Sequence, residues 1–86
     1  MPIISSFFGV LVRMFYNDHN PPHFHAEYQG QHGKFRFDGE IIVSHIASRV
    51  ANRLIREWAI QHAADLEMNW RRMKAGVALE RIEPLE

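Results

Sequence analysis

The hydrophobic period changes once along this chain of 86 residues, near Gly39. Before Gly39, apolar residues alternate with polar ones or form short runs, which is typical of β-strands. After Gly39, apolar residues recur at the three- and four-residue spacing of an amphipathic helix. Because a chain of this length builds one small core, we predict a single domain, residues 1–86, in which a sheet and helices share that core.

Three strands are predicted before Gly39, in the residue ranges 4–16, 23–28 and 34–38. The first is an apolar run with β-branched members, which we expect to bend at Gly9. The other two alternate between apolar and polar residues, as half-buried strands do. The segment between them carries two glycines and is predicted to form a hairpin loop.

Two helices are predicted after Gly39, the first with Ser44 as its N-cap. A change of phase near residues 62–64 separates it from the second helix, which we expect to end at Gly76. The tail, residues 77–85, is predicted to add a fourth strand at the edge of the sheet. The predicted fold is therefore α+β: a small antiparallel sheet of three to four strands, covered on one face by two C-terminal helices, in the order β-β-β-α-α-β.

Aromatic and large aliphatic side chains are predicted to anchor the core. They come from the alternating strands and from the apolar face of the helices: Phe24, Tyr28, Phe35, Phe37, Leu54, Trp58 and Trp70. A helix buries its large apolar side chains against the neighbouring layer, so we expect Trp58 and Trp70 to clamp the helices to the sheet.

Charge and cysteine content exclude several classes of function. The ten basic and ten acidic side chains cancel, so no overall field draws the chain to nucleic acid or to an anionic membrane. The absence of cysteine excludes a disulfide framework, a thiol nucleophile and any zinc site made of thiolates. Without a signal-like start or a long apolar run, the chain is expected to be soluble and cytoplasmic.

The stretch NDHNPPHFHAEY holds three of the six histidines. His23 and His25 are two residues apart on a predicted strand, so their side chains leave the same face and can share one metal ion. His19 lies across a turn stiffened by two prolines, and Asp18 or Glu27 can complete a mononuclear site for Zn, Ni or Fe. The spacing matches none of the highly specific metal motifs, and the stretch also fits a turn kept for its shape.

Two further interpretations use the same stretch. A carboxylate beside an imidazole, as in Asp18 with His19 or Glu27 with His25, suits acid-base catalysis of hydrolysis, although neither a nucleophile elbow nor a phosphate loop accompanies it. Alternatively, the outer face of the second and third strands forms a mixed-charge recognition surface. Its members are His23, His25, Glu27, Lys34 and Arg36.

Basic residues recur at helical spacing on both predicted helices. They are Arg49, Arg53 and Arg56 on the first, and Arg71, Arg72 and Lys74 on the second. Such a stripe suits RNA or DNA. Acidic neighbours interrupt it, and no cluster of base-reading amides marks a recognition helix, so nucleic-acid binding is not favoured.

Several motifs, taken together, resemble one family of small bacterial proteins. FFGVLVRMFYNDHNPPHFHAEYQG, a later REW and NW, and a closing IEPL are similar to the DUF4160 family over essentially the whole chain. The Asp-His-Asn-Pro-Pro-His-Phe-His core is the specific part of the match. Where the family commonly has Gly-x-Leu-Pro before the first helix, this chain has VSHIA at residues 43–47.

The resemblance implies a regulatory role and no assigned reaction. Members of the family are often found beside another small family, DUF2442, in arrangements of the toxin-antitoxin type, which implies a neighbour-encoded partner. A core this small has a slim stability margin, so a homodimer is also expected. The leading hypothesis is a non-enzymatic protein-binding or regulatory module. The alternative is a metal-dependent hydrolase or nuclease that uses His19, His23 and His25, and nucleic-acid binding is third.

Overall fold

The computed structural model describes residues 3–85. Five antiparallel strands form one sheet in which spatial order follows chain order, and two helices come after them. The elements are β1 (Ile3–Phe7), β2 (Val10–Arg13), β3 (Phe24–Tyr28), β4 (Gln31–Phe35), β5 (Ile41–Ser44), α1 (Arg49–Gln61) and α2 (Ala63–Ala75). The predicted α+β class with two C-terminal helices is confirmed, and the predicted strand count is too low.

The apolar run predicted as one bent strand is a hairpin. Phe7 of β1 lies opposite Val10 of β2, and the two residues between them, Phe8 and Gly9, have φ angles of 48° and 82°. Two successive positive φ angles are the mark of a type I′ turn. The sequence does not indicate this turn, because asparagine or glycine usually occupies the position of Phe8.

A second difference between the predicted and the observed strands lies in the middle of the chain. Gln29 and Gly30, with φ angles of 50° and 77°, make another two-residue turn, so β4 begins ahead of the predicted third strand, residues 34–38. Residues 41–44 then form β5, where the sequence predicts the approach to the first helix. A short apolar run such as IIV fits either period, so periodicity could not distinguish the two.

The helix boundaries follow local capping. The Ser48 hydroxyl accepts a hydrogen bond from the Ala51 N–H at 3.0 Å and is the N-cap of α1, so the prediction of Ser44 was wrong. Ser44 is the last residue of β5. The predicted break falls at His62, and α2 ends at Gly76, whose φ of 72° is left-handed, as expected of a C-terminal glycine.

The tail forms no strand within the described residues, contrary to the prediction. It still covers the edge of β1, where the Ile82 N–H donates to the Ile4 carbonyl at 2.7 Å. The Trp58 Nε1–H donates to the Glu83 carbonyl at 2.8 Å, which ties the tail to α1. Pro84 has no N–H to extend the pairing.

One apolar core lies between the sheet and the helices. The Trp58 ring meets Phe24 edge-on at 5.4 Å, and Phe24 stacks on Phe35 at 5.6 Å. Of the seven predicted anchors, five are buried and two are half-buried: Phe24, Phe35, Phe37, Trp58 and Trp70 in the first group, Tyr28 and Leu54 in the second. Between residues 3 and 85 no helix has the length and apolar character needed to cross a membrane.

Candidate metal centre

The turn between β2 and β3 carries the first candidate ligand. The backbone of Asp18 is held on two sides, because its N–H donates to the Phe15 carbonyl at 3.2 Å and its carbonyl accepts from Lys74 Nζ of α2 at 3.2 Å. The Asn20–Pro21 peptide bond of this turn is cis. These contacts place the Asp18 side chain beside the start of β3.

Three side chains converge at this point. Asp18 Oδ2 lies 2.9 Å from His25 Nε2 and 3.5 Å from His23 Nε2, and one ligand atom from each residue lies within 4.8 Å of the others. In a tetrahedral zinc site, bonds of about 2.0–2.1 Å separate neighbouring ligand atoms by about 3.3 Å. The two distances from Asp18 to the histidines are therefore close to those expected in a mononuclear site for a divalent ion.

His23 presents an unused lone pair to this cluster. Its Nδ1 lies 2.7 Å from the Pro21 carbonyl, and since a carbonyl oxygen only accepts, Nδ1 carries the proton. In the neutral ring Nε2 is then an acceptor, and it is buried without a hydrogen-bond partner. It faces the Asp18 carboxylate, which is also an acceptor, so a cation between them would satisfy both.

Burial favours the neutral form of His25. Burial lowers the pKa of His25 below its ordinary value of 6.5; the Asp18 carboxylate opposes that shift, and His23 and His32 add to it. The His25 Nε2–H donates to Asp18 at 2.9 Å, and Nδ1 lies 3.1 Å from His32 Nε2. Metal binding at Nε2 would move this proton to Nδ1, where His32 can accept it.

Two predicted ligands lie elsewhere. His19 is exposed and lines an open cavity beside the centre, and it is not one of the three converging side chains. The Glu27 carboxylate pairs with Arg13 of β2 at 2.6 Å. Neither predicted acid-base pair is formed, since the Asp18 carboxylate contacts His25 and His23 instead.

His32 is the contact that the sequence analysis missed. It belongs to β4 and pairs with Glu27 of β3, and its ring stacks on His25 with centroids 5.1 Å apart. The sequence analysis predicts a loop at residue 32. The signal that would have found it is the two-residue turn at Gln29 and Gly30, which fixes the register of the hairpin.

The predicted recognition surface is not one exposed face. His23 and His25 are only 8 % and 7 % exposed, whereas a recognition surface requires exposed side chains. His25 is covered by Phe15, whose ring meets it edge-on at 4.3 Å. Glu27 and Lys34 are half-buried and Arg36 is exposed.

An open cavity of about 240 Å³ adjoins the centre. Asp18 and His23 line it together with Lys34 and Ile42. Two of the three candidate ligand residues thus border a space that is open to water or a small anion. The ammonium group of Lys34 favours an anion there.

The comparisons with known proteins identify a family and no activity. A family model described as a domain of unknown function, DUF4160, matches residues 9–71. The matched segment includes Asp18, His23, His25 and His32. Neither the curated proteins nor the solved structures contain a match to this chain.

Proposed function

The chain belongs to the DUF4160 family, and we propose that it is a metal-binding protein in which one divalent ion joins Asp18, His23 and His25. The observation that carries this proposal is the buried His23 Nε2, which faces a carboxylate and has no donor as a partner. Two imidazoles and a carboxylate suit zinc, nickel or iron. The fourth position would face the adjoining cavity and take water or an exogenous ligand.

We propose a regulatory rather than a catalytic role for the ion. The two histidine ligands are almost fully buried, and an ion between them and Asp18 would fasten the turn to β3. A bound ion contributes its binding free energy to the stability of the folded state, so metal supply would control how much of the protein is folded and able to bind a partner.

A metal-dependent hydrolase or nuclease is the second candidate. The cavity supports it, because Asp18, His23 and Lys34 line the same space. A metal ion lowers the pKa of a bound water to about 7, and a lysine beside it would hold a phosphate group. In this case the exposed His19, on the wall of the cavity, would contact substrate rather than metal.

Elemental analysis of untagged protein, purified without a chelator, tests the metal proposal. We expect close to one divalent ion per chain in the wild type and in His19→Ala, and none in Asp18→Asn, which keeps the size of the side chain and removes its charge. Titration of metal-free protein with Co²⁺ provides a second readout, since the visible absorption of bound cobalt reports its ligands and geometry.

The same three proteins distinguish the two roles. Equal metal content in the wild type and in a folded Asp18→Asn variant would contradict the proposed centre. If the protein cleaves a phosphodiester or an oligonucleotide, and this cleavage requires both the metal and Asp18, the result would contradict the regulatory role and support the hydrolase. No cleavage above that of the metal alone supports the regulatory role.

The protein-binding part of the proposal concerns a partner encoded by a neighbouring gene, as in a toxin-antitoxin pair. An uncovered apolar strand, β5, supports it from the structure, because Ile41, Ile42 and Val43 are all exposed. A homodimer remains the competing proposal. Co-expression with the neighbouring gene product, followed by light scattering of the purified species, separates a mixed complex from a dimer of this chain.

A further inference from the structure

The sheet ends at β5 without a further strand in the described part of the chain. Ile41, Ile42 and Val43 are 42 %, 44 % and 40 % exposed, and no charged residue interrupts them. At the opposite edge, by contrast, the Ile82 N–H of the tail donates to β1. An uncovered apolar edge strand offers its free N–H and C=O groups to another strand.

A groove runs between β5 and α1, with an open volume of about 670 Å³. Its apolar side chains are Ile41 of β5 and Val50 of α1, and Val50 is 54 % exposed. Its basic side chains, Arg49, Arg53 and Arg56, all come from α1. The groove therefore combines two exposed apolar side chains with one row of positive charge.

Within residues 3–85, only one ion pair reaches this row of positive charge. Arg53 has one acidic neighbour, Glu57, at the long distance of 3.9 Å. The Nε–H of Arg56 donates to the Gly39 carbonyl at 3.0 Å, which positions its guanidinium beside β5 without supplying a negative charge. Arg49 forms no ion pair with any residue between 3 and 85.

We infer that β5 and this groove bind an extended acidic segment of a second protein, which adds to the sheet as a sixth strand. Side chains alternate along a strand, so carboxylates on one face of the segment would meet Arg49 and Arg53 while apolar residues between them cover the exposed side chains of β5. The inference rests on the protein-binding part of the proposed function and names the chemistry of the partner.

The charge of the groove disfavours two other occupants, a second copy of this chain and a nucleic acid. A second copy that paired its β5 with this one would be related by a two-fold axis, and the two α1 helices would bring their arginines together, where like charges repel. A nucleic acid would neutralise the arginines but would leave Ile41, Ile42 and Val43 uncovered, and the zero net charge of the chain provides no wider attraction.

Fluorescence anisotropy with a labelled synthetic peptide that alternates glutamate and valine tests the inference. Three probes accompany it: the peptide with glutamine for glutamate, the peptide with alternate backbone amides methylated, and a single-stranded oligonucleotide of equal charge. We expect the acidic peptide to bind about tenfold more tightly than the glutamine peptide, and the methylated peptide to lose its affinity, because it cannot pair with β5.

Two matched variants locate the site on the protein. Arg49→Glu/Arg53→Glu reverses two charges in the groove, and Arg71→Glu/Arg81→Glu makes the same change in net charge at two exposed positions outside it. We expect the first to weaken binding of the acidic peptide by about tenfold and the second to leave it unchanged. Amide hydrogen exchange should slow in residues 41–44 when the peptide binds.

Four results would overturn the inference: tighter binding of the oligonucleotide than of the acidic peptide, equal weakening by both charge-reversal variants, protection of β5 by self-association without peptide, or failure of the acidic peptide to bind. A co-purified partner that leaves residues 41–44 unprotected would refute this docking surface while preserving the protein-binding proposal. None of the groove residues is a candidate metal ligand, so the result does not depend on the metal.

Discussion

At the scale of single residues, His23 links the candidate metal centre to the aromatic core. Its Nδ1–H is held by the Pro21 carbonyl, and its ring lies 5.8 Å from the ring of Trp70 on α2. A histidine fixed on both sides keeps its free nitrogen aimed in one direction before any ion arrives. Such second contacts reduce the entropy lost on binding, so the site is preorganised.

His32 should act in the same way on His25. Replacing His32 with alanine removes the ring nitrogen that lies 3.1 Å from His25 Nδ1 and that would accept the Nδ1 proton if Nε2 held a metal ion. We expect the dissociation constant for Co²⁺ to rise by about 10- to 100-fold, as is usual when such a supporting contact is lost. His45→Ala, at an exposed histidine outside the cluster, is the control. Unchanged affinity in His32→Ala would mean that the contact does not support the centre.

His25 should make the metal-free protein sensitive to acid. Burial lowers the pKa of His25 in the folded chain below 6.5, so the unfolded chain takes up this proton first as the pH falls. Stability is therefore complete above about pH 6.5 and decreases as the pH falls from there towards the folded-state pKa. Asp18 opposes the shift, and the neighbouring His23 and His32 increase it.

Urea unfolding in the presence of a chelator, at about pH 7.5 and about pH 5.5, measures this effect. We expect the free energy of unfolding to fall between the two pH values in the wild type and to fall less in His25→Asn. The same loss in both proteins would show that other groups cause the acid sensitivity.

At the scale of elements, the turn between β1 and β2 is held in an unfavourable backbone conformation. Phe8 has a φ of 48° and is 62 % exposed. Asparagine tolerates this region better, and Asn-Gly is the preferred sequence of a type I′ turn. We expect Phe8→Asn to raise the free energy of unfolding by about 0.5–1 kcal/mol, measured by chemical denaturation.

A matched substitution isolates the cause of that effect. Phe8→Ala removes the same ring without supplying a residue that accepts a positive φ, so it should not stabilise the hairpin. Equal stabilisation by alanine would attribute the effect to loss of an exposed ring instead. Gln29, with a φ of 50° in the second hairpin turn, should respond to asparagine as Phe8 does.

Local signals determined which elements the sequence could reveal. The break at His62 and the stop at Gly76 were predicted from a phase change and from the backbone freedom of glycine. The turn at Phe8 and the strand β5 were missed. In both cases the backbone conformation of an apolar residue or run depends on pairing between strands. A local sequence pattern cannot predict such pairing.

The sequence predicts the residues of the candidate site that lie close together along the chain. His23 and His25 follow from their spacing, and Asp18 from the turn. The other predicted carboxylate ligand, Glu27, forms an ion pair with Arg13 instead. This ion pair depends on the register between β2 and β3. Register also decides the position of His32, so the supporting contacts of a site are less predictable than its ligands.

At the scale of the whole molecule, a chain of 86 residues supports one core, and such cores have a slim stability margin. The first helix, the tail and the sheet all meet at Trp58, which contacts Phe7, Phe24 and the Glu83 carbonyl. The candidate metal centre lies at another part of the sheet, where the turn between β2 and β3 meets β3 and α2. An ion there would connect the turn, through Asp18, to His23 and His25 at the start of β3.

Metal should therefore raise the melting temperature of the whole domain. When the free metal concentration is 100 times the dissociation constant, binding to the folded chain adds about 2.7 kcal/mol to the free energy of unfolding. For a domain of this size, this gain raises the melting temperature by about 10–20 °C. Differential scanning calorimetry of metal-free protein with and without Zn²⁺ measures the shift. His19→Ala should shift as the wild type does, and Asp18→Asn should not shift. An equal shift in Asp18→Asn would place the ion elsewhere, since Asp18 supplies the only carboxylate of the proposed centre.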